Sequence, residues 1–220
     1  MARSRLQEFV VANTRLQRPS FVPELQLHLA DELMPLWRAC EVELGVKGVA
    51  PPFWAFAWVG GLALARYLLD HPDEVRDKRV LDFATGSGLV AIAAKKADAA
   101  EVLAADVDQF AAAAVALNAE ANAADVSYTG RDLLDASPPD TDVILAADIW
   151  YEEPLAARVQ GWLRVAHARG IRVLVGDPGR SYLPRGELVE LARYDVPTTR
   201  ELEDEAIKST GVFAFRPREQ

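Results

Sequence analysis

Apolar positions along the chain change period several times, and each change marks an element. Residues 60–70 carry apolar side chains at helical spacing, and His71-Pro72 stops that helix. Residues 79–84 form a short apolar run closed by Gly86 and Gly88, which predicts a buried strand. An alanine-rich helix is predicted over 89–97, a second strand over 101–106, and a second alanine-rich helix over 109–121. Shorter apolar runs predict strands over 126–129, 142–147 and 171–175, with a helix over 154–168 between the last two. The spacing over 187–192 predicts one more helix, and 200–217 predicts two strands closing on Gly211-Val212-Phe213-Ala214-Phe215. Upstream the pattern is less regular. Residues 23–30 fit alternating and helical spacing equally, and 30–42 fit a helix interrupted near Pro35. The division that follows is an N-terminal helical extension over 1–50 and one domain over 51–220, with no internal repeat.

Strands that alternate with helices predict an α/β domain: a mostly parallel, Rossmann-like sheet with helices on both faces. The two terminal strands lack a helix between them and predict an antiparallel edge. In such a sheet a ligand sits over the carboxyl ends of the strands, where strand order reverses.

Composition narrows the possibilities. The 220 residues suffice for one sizeable core, and 26% are charged. No apolar stretch is long enough to span a bilayer, and the N-terminus has no apolar segment behind its basic residues. Cys40 is the single cysteine, so an internal disulfide and a cysteine cluster for zinc are excluded, and the expected compartment is the reducing cytoplasm. The three histidines show no metal-ligand spacing, and no metal is expected. A net charge of -9 argues against a nucleic-acid partner and suits a small molecule or a basic patch on a protein. The chain is read as a monomer.

The chemistry concentrates at the predicted strand ends. Asp82-Phe83-Ala84-Thr85-Gly86-Ser87-Gly88 is a strand, glycine turn and helix start that lets a ligand approach the backbone. The aspartate inside the strand would repel a pyrophosphate but suits a cationic amino-acid ligand such as S-adenosylmethionine. Asp106, about 20 residues beyond the turn, can accept two hydrogen bonds from ribose hydroxyls; Asp108 is its rival, or a helix N-cap. Asp132 can accept from an adenine amino group while Leu133 packs on the ring; a polar loop is the plainer reading. At the end of the fourth strand stands Ala147-Asp148-Ile149-Trp150-Tyr151. A carboxylate there can orient an amine, and an aromatic hydroxyl can narrow the channel for in-line attack, with Asp148 and Tyr151 the candidates. An N-cap for the next helix would also explain Asp148. The run Trp54-Ala55-Phe56-Ala57-Trp58 offers aromatic faces for adenine or the methionine moiety, or simply core. Gly176-Asp177-Pro178-Gly179-Arg180 shapes a substrate mouth or a turn.

Together these motifs resemble the class I, seven-strand S-adenosylmethionine-dependent methyltransferases. Asp148-Ile149-Trp150-Tyr151 fits a D-x-x-Y pattern found in a group rich in protein-lysine methyltransferases. With the tryptophan-rich entry and the segment 176–180, the chain is similar to the electron-transfer flavoprotein beta-subunit lysine methyltransferases and their bacterial homologues, from about residue 51 to 215. The resemblance implies that Trp58, Asp82, Ala84, Thr85, Gly86, Gly88, Asp106, Asp132, Leu133 and Ala147 line the cofactor. It implies that Asp148 and Tyr151 face a lysine amine, with Trp54, Trp150 and Arg180 on the substrate side. The implied partner is the flavoprotein's beta subunit. Small-molecule N-methylation of the nicotinamide or amine type is the alternative. Ala84 and Thr85 depart from the commoner glycine-containing turn start.

Overall fold

The computed structural model describes residues 3–198, 202, 203 and 205–216. Its centre is a seven-stranded sheet. Five strands run parallel: β3 (Arg79–Phe83), β4 (Glu101–Ala105), β5 (Ser127–Thr129), β6 (Val143–Ala147) and β7 (Arg172–Asp177). β8 (Leu188–Pro197) and β9 (Ile207–Phe215) close one edge antiparallel. The spatial order is β5-β4-β3-β6-β7-β9-β8, so the strand order reverses between β3 and β6. Helices α3 (Val59–Asp70), α4 (Leu89–Lys96), α5 (Gln109–Ala121) and α6 (Glu153–Ala168) fill the connections. The expected α/β architecture, with its antiparallel C-terminal edge, is the one the chain adopts.

Two apolar clusters flank the sheet. On one face α3 and α4 bury Leu64, Leu68 and Ile92 against Val80, Leu145 and Leu174. On the other, α6 buries Val159, Trp162 and Leu163 against Leu81, Ile144 and Val175. Alternate residues of β6 and β7 thus serve opposite cores, as the period of a strand requires. Residues before the sheet form α1 (Arg5–Asn13), the two-stranded pair β1 (Arg15–Gln17) and β2 (Leu27–Leu29), and α2 (Leu33–Leu44). They pack Val10, Leu36 and Cys40 against Trp54, Phe56 and Phe110 in a third cluster. Burial pushes the Cys40 thiol up to about 12, so it stays protonated core.

Three expectations need correction. The helix expected over 187–192 is instead the start of β8, which pairs with β9 in a register running from Leu188↔Phe215 to Pro197↔Ile207. Leu, Glu and Ala favour a helix locally, but the ladder to β9 outweighs that preference. Among the described residues of 200–217 there is one strand, β9, not two; 199–201, 204 and 217 lie outside the described residues. Pro35 does not interrupt a helix: α2 begins at Leu33, which puts Pro35 in the first turn, where no backbone N–H is needed. The ambiguous 23–30 segment resolves as a turn followed by the short strand β2 over Leu27–Leu29.

No helix among the described residues is long and apolar enough to cross a membrane. No group of three or more of their His, Cys, Asp and Glu side chains is placed to hold a metal ion.

Candidate active site

The reversal between β3 and β6 opens a cavity of about 510 Å³ over the strand ends, within the size range of small-molecule sites. Its floor is built by the turn after β3. Asp82 is buried, and its Oδ2 accepts from the Thr85 hydroxyl and from the Ala91 N–H at 3.0 Å, which ties the turn to the first turns of α4. Ala84 holds a left-handed backbone at φ 55°, a strained state for a residue with a Cβ, and stays exposed to the cavity. Gly88 lies behind the turn, where a Cβ would press on Val115 at 3.2 Å; it supports the turn and does not line the cavity.

Asp106 follows β4. Its two oxygens accept from the Gly86 N–H at 2.8 Å and the Asp108 N–H at 2.9 Å, so one carboxylate joins the β3 turn to the next loop. Both oxygens keep a lone pair for further donors. Asp108 caps α5 through the Phe110 N–H at 2.8 Å, the helix-cap role open to it from the sequence, and also reaches the cavity wall. Asp132 caps the short turn Leu133–Asp135 and pairs with Arg158 at 3.3 Å; Leu133 lies beside it on the lining.

Asp148 stands just past Ala147, the last residue of β6, with φ 57°. Asparagine and aspartate tolerate this region better than other side chains with a Cβ. Its N–H donates to the Gly176 carbonyl at 3.0 Å, and its Oδ2 accepts from the Gly61 N–H at 2.7 Å, at the start of α3. Arg180 Nη1 lies 3.0 Å from the other oxygen, and Arg180 Nη2 binds Glu203 Oε1 at 3.0 Å. The close approach needs Gly60: a Cβ there would stand 2.3 Å from the Gly176 carbonyl oxygen and 2.6 Å from Asp148 Oδ2. Asp177 ends β7 and folds the following loop back, accepting from the Gly179 N–H at 2.6 Å and the Arg180 N–H at 2.7 Å. The segment 176–180 is therefore a turn, and of its residues Arg180 lines the cavity.

Aromatic side chains form the rim. Trp58 donates its indole N–H to the Phe53 carbonyl at 3.0 Å. Phe53 meets the Trp58 ring edge-on at a centroid distance of 5.6 Å and the Tyr151 ring at 5.5 Å. Tyr151 is 44% exposed and stands at the mouth. Trp54 lines the cavity from below, stacked on Phe110 at 5.6 Å.

The structure thus brings Trp54, Trp58, Asp82, Ala84, Thr85, Gly86, Asp106, Asp132, Leu133, Ala147, Asp148, Tyr151 and Arg180 to one cavity. Trp150 is the exception among the expected substrate residues. It is fully buried on the α6 side of the sheet and does not line the cavity, because the chain turns over at Asp148 and sends its neighbour into the opposite core. Sequence reasoning missed Gly61 and Glu203. The Gly60-Gly61 pair in the first turn of a helix was the available signal for the first; nothing local marks Glu203.

Burial sets the electrostatics. It pushes Asp82 up to about 7 and Asp108 up to about 6, against the hydrogen bonds each accepts. It also pushes Asp148 up to about 7, opposed by Arg180 and by the Gly61 N–H and reinforced by Asp177. These carboxyls hold their protons more tightly folded than unfolded, where the ordinary value is 3.8. From about pH 4 to 7 the folded chain therefore binds more protons, and stability rises as pH falls across that window. Thermal unfolding of the ligand-free protein should show a higher midpoint near pH 5.5 than near pH 8. The reverse order would mean that these acids are ionised in the fold without cost.

A model of the ribosomal protein L11 methyltransferase (PrmA) family matches residues 63–153, from α3 to the segment after β6. Among solved structures, the ribosomal protein L11 methylase of Lactobacillus delbrueckii subsp. bulgaricus aligns over 78% of this chain and 84% of its own, with a TM-score of 0.53 and 21% identity. The magnesium protoporphyrin IX methyltransferase of Synechocystis, solved with bound S-adenosylmethionine, aligns over 72% and 81% with a TM-score of 0.51 and 14% identity. These likenesses are of fold. Nearer relatives are the electron transfer flavoprotein beta subunit lysine methyltransferases of Rattus norvegicus, 34% identical over 97% of this chain and 85% of that protein, and of Homo sapiens, 33% identical over 96% and 82%. With that identity held over nearly the whole chain, the protein belongs to the electron transfer flavoprotein beta subunit lysine methyltransferase family and is a methyltransferase.

Proposed function

We propose that the protein transfers methyl groups from S-adenosylmethionine to lysine side chains of the beta subunit of electron-transfer flavoprotein. The observation that carries this reading is that one cavity holds both a carboxylate free to grip a nucleoside, Asp106, and a buried carboxylate beside an aromatic mouth, Asp148. The names of relatives that match nearly the whole chain support the substrate.

The residues present fit the cofactor. Asp106 has lone pairs for the ribose diol. The small side chains at 84 and 86 leave the turn backbone open, and Leu133 offers an apolar face with Asp132 at its edge for adenine. Trp58 and Ala147 complete the wall, while Asp82 is buried enough to act on a cationic ligand by its field. When bound, S-adenosylmethionine supplies an electrophilic methyl on a sulfonium sulfur that keeps the bonding electron pair.

The chain's own residues do the remaining work. A lysine amine attacks only as the neutral base, so it must shed a proton and point its lone pair inward. Asp148 accepts one N–H of that amine and fixes its direction. Phe53, Trp58 and Tyr151 form an aromatic rim whose faces suit the apolar stem of a lysine side chain. The purified enzyme with labelled cofactor should mark the flavoprotein beta subunit, and mass spectrometry should place the label on lysine. Label found only on small amines would overturn the protein-substrate reading.

A further inference from the structure

We infer that Arg180 is a positioning residue for methyl transfer: it pairs with Asp148 so that the site orients an amine without favouring the protonated form. The inference rests on the proposed role of Asp148. A lone buried carboxylate beside an amine presents a contradiction. It orients the N–H, but it also stabilises the ammonium that cannot react. The geometry at the tip of β6 removes the contradiction. Arg180 Nη1 lies 3.0 Å from Asp148 Oδ1, while Oδ2 accepts from Gly61 at the amino end of α3. The carboxylate keeps lone pairs to accept with, but its charge is met by a guanidinium that never deprotonates and by the positive end of a helix. An ammonium arriving there meets the positive charge of Arg180 beside the carboxylate, and the balance favours an amine that has left its proton to the solvent before entering.

The surrounding charges are consistent with a fixed Arg180. Among the described residues, the charged groups that act on the pair are Asp177 from the end of β7 and Glu203 from the segment between β8 and β9. Tyr151, on the loop after β6, lines the same cavity and feels Glu152 and Asp106. The start of α3 brings no titratable side chain, only Trp58 to Gly61. Glu203 holds the second guanidinium nitrogen, and Asp177 holds the Arg180 backbone N–H. Burial works against the charge of Arg180, but Asp148, Glu203 and Asp177 outweigh it and raise its pKa. Independently of Asp148, Glu203 thus holds the guanidinium and Asp177 the backbone that carries it when an amine enters.

The test compares wild type with Arg180→Met and Arg180→Lys, using full-length enzyme and the purified flavoprotein beta subunit. In Arg180→Met the acid limb of the kcat profile should move up by about one pH unit or more, so that activity lost about tenfold near neutrality returns near pH 9. Arg180→Lys should restore most of the wild-type profile. A readout independent of turnover is the pH dependence of affinity for a lysine peptide: wild type should gain affinity as pH rises, and Arg180→Met should lose it. Calorimetry with S-adenosylhomocysteine, alongside circular dichroism, checks that each variant is folded. An equal loss of kcat at every pH, with peptide affinity unshifted, would assign Arg180 to support of its loop and overturn the inference. If Asp148→Asn turns over like wild type, the reading of Asp148 fails instead, and that outcome is separate from the first.

Discussion

Asp148→Asn should lower kcat by about 10²- to 10³-fold while leaving affinity for S-adenosylhomocysteine within about threefold of wild type. Asparagine is the informative change because it tolerates the left-handed backbone that Asp148 adopts. Its amide nevertheless cannot satisfy both neighbours. With the carbonyl turned to Gly61, the NH2 group faces Arg180, which lies 3.0 Å from that oxygen in the native side chain. Turned the other way, it presents a donor to the Gly61 N–H, which the native carboxylate meets at 2.7 Å. Either arrangement sets donor against donor and removes the acceptor proposed for the amine. Single-turnover methyl transfer together with calorimetry checks both halves. Retention of more than about a tenth of wild-type kcat would take Asp148 out of the proposed mechanism.

Asp106→Ala should act on the cofactor first, weakening affinity for S-adenosylmethionine by roughly 100-fold, about 3 kcal/mol. Two losses combine. The acceptor for the ribose diol disappears, and the N–H groups of Gly86 and Asp108 lose the oxygens that hold them at 2.8 and 2.9 Å. The turn after β3 is then free to drift from the tip of β4. Because the change lies away from Asp148, much of kcat should return once cofactor is saturating. A dissociation constant within about threefold of wild type would move the ribose elsewhere, with Asp108, already on the cavity wall, the next carboxylate to test.

What could be read in the sequence was what is local. Asp82, the Gly86-Gly88 turn and Asp106 sit at the ends of apolar runs, so their position on the sheet followed from strand period alone. The same reasoning failed where direction depends on partners far along the chain. Trp150 was grouped with Asp148 by adjacency, yet one left-handed residue sends it into the opposite core. β8 carries helix-favouring residues and is a strand because β9 pairs with it. Glu203 bears on the site only through Arg180, 23 residues before it, and no spacing rule reaches that far.

The Gly61 N–H that holds Asp148 belongs to a helix seated on β7, β8 and β9, and the hydrogen bond spans 87 residues of chain. The acid at the centre of the proposed chemistry is thus aimed by the assembled molecule rather than by its own loop. Loosening the distant edge hairpin by a few tenths of an ångström would misdirect that side chain well before any spectroscopic sign of melting. Catalytic rate in this enzyme should therefore be a finer gauge of structural integrity than circular dichroism, fading first as denaturant is added.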